Sequence, residues 1–172
     1  MRVTVQNRNF TGRNLTGQDY TNGYAYRCNF TDARMGVLVN ATFIECNLTN
    51  TDFSKLPMVG IELQDCITTG MKFCTDAAYN ALPLTVRNTW PYRAFVPLHD
   101  HECMAELIRQ IPATGTLKTR LDMIAAAVRV GRLQSYENLA TDLKQPGKPV
   151  AVGLKAMGFV TLANHLEAFL DR

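Results

Sequence analysis

The sequence predicts a mixed β and α protein. A four-sided coil of stacked, parallel short strands covers residues 1–75, a Pro- and aromatic-rich connector and cap covers 76–98, and a small helical bundle covers 99–172. Three observations predict it. Large side chains recur at every fifth position through the first 75 residues. The composition shifts after Asp76. From Asp100 onward the apolar period becomes helical.

The period of five reads Val5, Phe10, Leu15, Tyr20, Ala25, Phe30, Met35, then slips by three and resumes as Leu38, Phe43, Leu48, Phe53, Met58, Leu63, Thr68, Phe73. Each of these is a centre. Two positions before a centre stands a small residue, as at Cys28, Ala33, Ala41, Cys46, Thr51 and Cys66. Asn or Asp precedes the centre at Asn9, Asn14, Asp19, Asn29, Asn47 and Asp52, and a hydroxyl follows it at Thr11, Thr16, Thr21, Thr31, Thr49 and Ser54. Neither a helical nor a strand period fits. The pattern needs a unit that turns a corner every five residues, so that four corners close a coil of about twenty residues and successive coils stack at the ~4.8 Å sheet spacing. Centres and the small residues before them face inward, because so narrow an interior cannot hold two bulky side chains per corner. Asn, Asp and Thr suit the corners by bonding nearby backbone. The expected repeat core is Phe10, Leu15, Tyr20, Cys28, Phe30, Met35, Phe43, Cys46, Leu48, Phe53, Cys66 and Phe73.

The units Cys-Asn-Phe-Thr-Asp at 28–32, Cys-Asn-Leu-Thr-Asn at 46–50 and Thr-Asp-Phe-Ser-Lys at 51–55 resemble the pentapeptide-repeat family over roughly residues 5–75. The resemblance implies a right-handed quadrilateral parallel β-helix. Departures fall at Tyr24-Ala25-Tyr26, at the slip near Gly36-Val37 and around Leu56-Pro57. If Met35 and Leu38 occupy successive corners, Phe10, Phe30, Leu48 and Thr68 stack on one face, and so do Cys28, Cys46 and Cys66. That thiol column reads as small apolar core filling rather than a metal or redox ladder. The Asn-X-Thr triplets are products of the repeat, not glycosylation sites.

Pro83, Pro91 and Pro97 preclude one regular helix through the connector. Its aromatics are expected to cover the last coil, since an open coil end exposes strand edges and core. Trp90 and Tyr92 are the candidate partner-binding pair there. Apolar stripes then predict helices containing Met104, Leu107, Ile108 and Ile111; Leu117, Leu121, Ile124 and Val128; Tyr136, Leu139 and Leu143; Val150, Leu154 and Met157; and Leu162, Leu166, Phe169 and Leu170. Asp100, Ser135 and Thr161 are candidate caps, Pro149 opens the fourth helix and Gly158 ends it. The segment 135–159 is weakly similar to a helix-turn-helix, with Lys144, Lys148 and Lys155 as candidate nucleic-acid contacts.

Chemistry is sparse. Gly115-Thr116-Leu117-Lys118-Thr119 lacks the first glycine of a phosphate loop, and His101-Glu102-Cys103-Met104-Ala105 fails the zinc-protease motif at its last position. The two serines, Ser54 and Ser135, sit in no nucleophile elbow. No enzyme activity, metal or cofactor is expected. The net charge of +3 does not argue for nucleic acid or membrane. No apolar run approaches the ~18–20 residues of a membrane span, and the first residues lack a signal-peptide core. Five cysteines without CxxC spacing fit a reducing cytoplasm, of a bacterium or a phage-infected cell.

The expected function is therefore a non-catalytic adaptor that presents a rigid neutral surface to a protein partner. Other readings are a phage-type structural or assembly component and a DNA-binding regulator through 135–159. The family resemblance adds a DNA mimic that inhibits topoisomerases. Seven basic and seven acidic residues through Asp76 count against it, because DNA mimicry needs dense negative charge. A homodimer is expected because the N-terminal coil end has no evident cap.

Overall fold

The computed structural model of this mixed α and β chain describes residues 4–96, 100–129 and 144–170. They fall into two compact units, one of Met1–Cys74 with Ala78–Pro97, the other of Thr75–Ala77 with Leu98–Arg172.

In the first unit the chain repeatedly returns to pair with itself. Strands β1 (Thr4–Gln6), β2 (Tyr24–Tyr26), β3 (Thr42–Ile44) and β4 (Glu62–Gln64) form a parallel sheet in sequence order. This is the first ladder. Isolated parallel bridges make the others: Asn9–Asn29–Asn47–Ile67 the second, Asn14–Arg34–Asp52–Lys72 the third and Asp19–Val37 the fourth. The centres therefore stack as Val5, Ala25, Phe43, Leu63, then Phe10, Phe30, Leu48, Thr68, then Leu15, Met35, Phe53, Phe73. Phe10 and Val5, in the first coil, are half-buried, while the centres below them are buried.

The register explains the slip of three. Thr4 pairs with Tyr24 and Thr42 with Glu62, twenty residues on, but Tyr24 pairs with Thr42 after only eighteen. The short coil cuts its corner at Gly36. A Cβ there would overlap the carbonyl oxygens of Gln18 and Leu15 in the coil before it, so only glycine fits.

The corners are built by side chains. Asn9 Oδ1 accepts from the Thr11 N–H at 3.0 Å and its hydroxyl at 2.6 Å, and Asn14–Thr16, Asn29–Thr31, Asn47–Thr49 and Asp52–Ser54 repeat the arrangement. Asn22, Asp32, Asn40 and Asn50 take the left-handed conformation at corners, which short polar side chains tolerate.

After Phe73 the chain leaves the ladders. Among the described residues 76–96 there is no single helix, yet the prolines punctuate rather than abolish helical structure. Helix α1 (Asp76–Asn80) precedes Pro83, and α2 (Leu84–Thr89) and a 3-10 turn (Tyr92–Phe95) follow Pro83 and Pro91, which stand at their N-caps. The Met58 N–H donates to the Ala94 carbonyl at 2.6 Å, as the Tyr20 N–H donates to Val37 higher on the fourth ladder. Fully buried Phe95 therefore takes the place of the missing fourth centre, seventeen residues after position 78 where the period would put it.

In the second unit α3 (His101–Arg109) packs on α4 (Gly115–Arg129), and α5 (Lys144–Ala156) on α6 (Val160–Leu170). Asp100 caps α3 by accepting from the Cys103 N–H at 2.8 Å. Glu102 and Glu106 are buried together with Cys103, Met104, Leu107 and Ile108. Glu106 meets Arg109 Nε at 3.3 Å and Gln110 Nε2 at 3.1 Å. In α4 the stripe Leu121, Ile124 and Val128 is buried, but Leu117 is 40% exposed because it lies in the first turn. The helix predicted from Ser135 lies outside the described residues.

Two caps differ from expectation. Pro149 does not open helix α5 but lies inside it, since the helix already runs at Lys144 where the described residues resume. It ends as the sequence indicates: Gly158 is left-handed and the Phe159 N–H reaches back to Leu154 at 2.9 Å. Thr161 lies inside α6 and is not its cap. Its N–H and hydroxyl instead donate to the Asp76 carboxylate at 3.1 and 2.5 Å, so the cap comes from a residue 85 positions earlier. Asp76→Ala is expected to cost about 1 kcal/mol and to speed hydrogen exchange of the Thr161 amide; unchanged exchange there would remove the capping role.

Candidate interaction surface

Position in the repeat decides which side chains face outward. Residues on either side of a centre on the first ladder point away from the interior. In the first and fourth coils these are polar, Thr4 and Gln6, Glu62 and Gln64, but in the second coil they are Tyr24 and Tyr26, both half-buried, with Thr42 and Ile44 below them. Arg27 turns the corner beside them in the left-handed conformation. Its guanidinium lies 4.8 Å from the centre of the Tyr26 ring, and its Nε meets Glu45 Oε2 at 2.7 Å. Both ends of that ion pair are largely exposed, so its net contribution to stability is small; it positions Arg27 against Tyr26. The departure Tyr24-Ala25-Tyr26 is thus a change of outer surface, with Ala25 as a small centre inside. Tyrosines are enriched where binding energy concentrates, and sequence reasoning registered this triplet only as an irregularity.

The sulfur column is interior. Cys28, Cys46 and Cys66 are 2%, 1% and 4% exposed. Cys46 Sγ lies 3.5 Å from the Ala25 carbonyl and Cys66 Sγ lies 3.4 Å from that of Phe43. A side-chain hydrogen bond with Cys66 pulls the Cys46 thiol down to about 7 against the effect of burial, whereas burial raises Cys28 and Cys103. Reactivity needs access as well as thiolate, and all five cysteines are buried and unpaired by disulfides. Ellman's reagent is expected to label none of the five in the folded protein over minutes and all of them in denaturant; rapid labelling of one thiol would show an opening of the coil. Among the described residues no cluster of His, Cys, Asp or Glu is arranged to hold a metal ion.

Trp90 and Tyr92 are half-buried and pack, with Tyr79, Leu82 and Val86, against Cys74, Ala94 and Phe95. The Tyr92 hydroxyl donates to the Cys74 carbonyl at 2.9 Å, and the Tyr79 hydroxyl to that of Trp90 at 2.7 Å. The Tyr79 ring meets Tyr92 and Phe95 edge-on at 5.4 and 5.3 Å. These bonds hold the pair in a local core. Lys155 is paired with Glu167 at 3.2 Å, and Lys144 and Lys148 fall on the first turns of α5. The first half of the helix-turn-helix-like segment lies outside the described residues. No described helix is long and apolar enough to cross a membrane.

No family model matches the chain, and no curated protein does. Solved structures with partial likeness include a trypsin-treated variant of QnrB1, a plasmid-mediated fluoroquinolone resistance protein, at 22% identity over 43% of this chain and 49% of that one, with a TM-score of 0.30. A second QnrB1 variant aligns at 17% identity over 41% and 35%, TM-score 0.19. HetL, a pentapeptide repeat protein involved in heterocyst differentiation regulation from the cyanobacterium Nostoc, aligns at 14% identity over 42% and 39%, TM-score 0.20. The aligned part spans about half of the first structure and less of the others.

Proposed function

We propose that this chain is a non-catalytic interaction protein of the cytoplasm, whose ladders are the four walls of a right-handed quadrilateral β-helix of the pentapeptide-repeat kind. The walls act as a rigid platform, and a partner protein docks on the first ladder through Tyr24 and Tyr26. The observation that carries this reading is the pair of outward tyrosines side by side on a register-locked sheet, with Arg27 and Glu45 at its margin. A surface held by parallel ladders on both sides loses little freedom on binding, and aromatic side chains there supply contact area at low entropic cost.

The test is proximity crosslinking in the native host followed by mass spectrometry, comparing the wild type with Tyr24→Thr/Tyr26→Thr. Threonine already occupies the positions equivalent to Tyr24, at Thr4 and Thr42, and Tyr26 is matched by Gln6 and Ile44; threonine is strand-compatible at both. The partner recovered with the wild type should fall about tenfold or more with the variant. Equal recovery, with circular dichroism unchanged, would remove the first ladder as the docking wall.

A further inference from the structure

The first coil departs from the rule that the position two before each centre is buried. On the second ladder that position is Cys28, Cys46 and Cys66 in the later coils, and on the third it is Ala33, Thr51 and Met71, all buried. In the first coil the same positions are Arg8 and Arg13, both exposed. Among the described residues its bonds to another coil all run downward there: Phe10 N–H to Asn29, Leu15 N–H to Arg34, Asn29 N–H to the Arg8 carbonyl and Arg34 N–H to the Arg13 carbonyl. Pairing along a parallel strand alternates sides. The N–H and C=O of Asn9 and Asn14 therefore face the open edge, and among the described residues their N–H groups have no backbone partner. Phe10 is half-buried beside them.

We propose that this edge receives an extended acidic segment of a partner protein, which continues the ladder beside Asn9 or Asn14 and sets carboxylates against Arg8 and Arg13. An unpaired edge is a template for one more strand. Charge selects which strand. The described charges of the first coil are Arg8, Arg13 and Asp19; Asp19 lies on the next ladder and accepts from the Thr21 N–H at 2.9 Å. A second copy brought edge to edge would set arginine against arginine, which disfavours it. Half-buried Phe10 offers an apolar seat for a residue between the acids. The site lies apart from the Tyr24–Tyr26 wall, and either stands without the other.

The experiment titrates the full-length, nitrogen-15-labelled protein with a capped peptide of alternating Asp and Val at low ionic strength, with a Lys and Val peptide as the charge-reversed probe. The acidic peptide should shift the Asn9 and Asn14 amide resonances and slow their hydrogen exchange, and added salt should weaken it. Arg8→Gln/Arg13→Gln should weaken binding about tenfold, with protection of the buried Phe30 and Leu48 amides unchanged as proof of an intact coil. Four results would overturn the proposal: no binding, binding that leaves Asn9 and Asn14 untouched, equal affinity for the lysine peptide, or a sedimenting dimer in which those amides are already protected.

Discussion

Gly36→Ala is expected to lower the unfolding free energy by about 3 kcal/mol. The second coil closes in eighteen residues between neighbours of twenty. Its shortened corner lies directly against the first coil, where an added Cβ would run into the Gln18 and Leu15 carbonyl oxygens. Those atoms belong to hydrogen-bonded backbone, the Gln18 carbonyl accepting from the Val37 N–H at 3.1 Å and the Leu15 carbonyl from the Gln18 N–H at 2.9 Å, and cannot swing aside as a side-chain tip would. Gly17 is the matched control. It sits at the equivalent corner of the first coil, where an added methyl would meet nothing within 4 Å, and its φ is not positive. Gly17→Ala should therefore change stability by only about 0.5 kcal/mol. Urea unfolding followed by circular dichroism separates the two; a Gly36→Ala protein as stable as the wild type would show that the corner has slack.

Phe30→Ala should cost about 3–5 kcal/mol. Phe30 has no exposed surface. Its ring stacks on Phe10 at 5.1 Å, nearly parallel at 13°, and meets Phe43 edge-on at 5.5 Å. Removing it opens a cavity walled by backbone that the ladders prevent from collapsing. Phe10→Ala should cost visibly less, because Phe10 is half-buried and has a coil on only one side. Phe30→Leu should fall between, since the next coil already seats Leu48 in the same column. Thermal unfolding of the three variants gives the order; a Phe30→Ala loss no larger than that of Phe10→Ala would mean the aromatic stack is not the core of the second ladder.

The period of five made the stacking legible because every coil solves the same steric problem with the same residue types. Asn29 and Thr31 bond each other for the reason Asn47 and Thr49 do. The slip between Met35 and Leu38 was visible, and its register follows from the spacing alone. The tertiary exceptions were not legible. Phe95 fills a place in the repeat from outside it, because the chain makes two short helices before returning to Met58. Asp76 caps a helix that begins 84 residues later at Val160, which no local pattern encodes. In and just after α3 the stripe Met104, Leu107, Ile108 and Ile111 is buried as read, but the burial of Glu102 and Glu106 was not legible, since it depends on neighbours rather than on helical spacing. Tyr24 and Tyr26 stood out as irregular, but only the sheet register identified them as outward-facing neighbours.

The aromatic group around Phe95 gives the repeat unit a polarity in time as well as in space. Each coil leans chiefly on its neighbours, so order is lost by unzipping rather than all at once. The Tyr79, Trp90, Tyr92 and Phe95 end is bolted by side chains that return from elsewhere in the chain, whereas among the described residues the first coil is paired on one side alone. Breathing is therefore expected to start in the first coil and travel toward Phe73, and the coil that holds Tyr24 and Tyr26 is the second leaf to loosen.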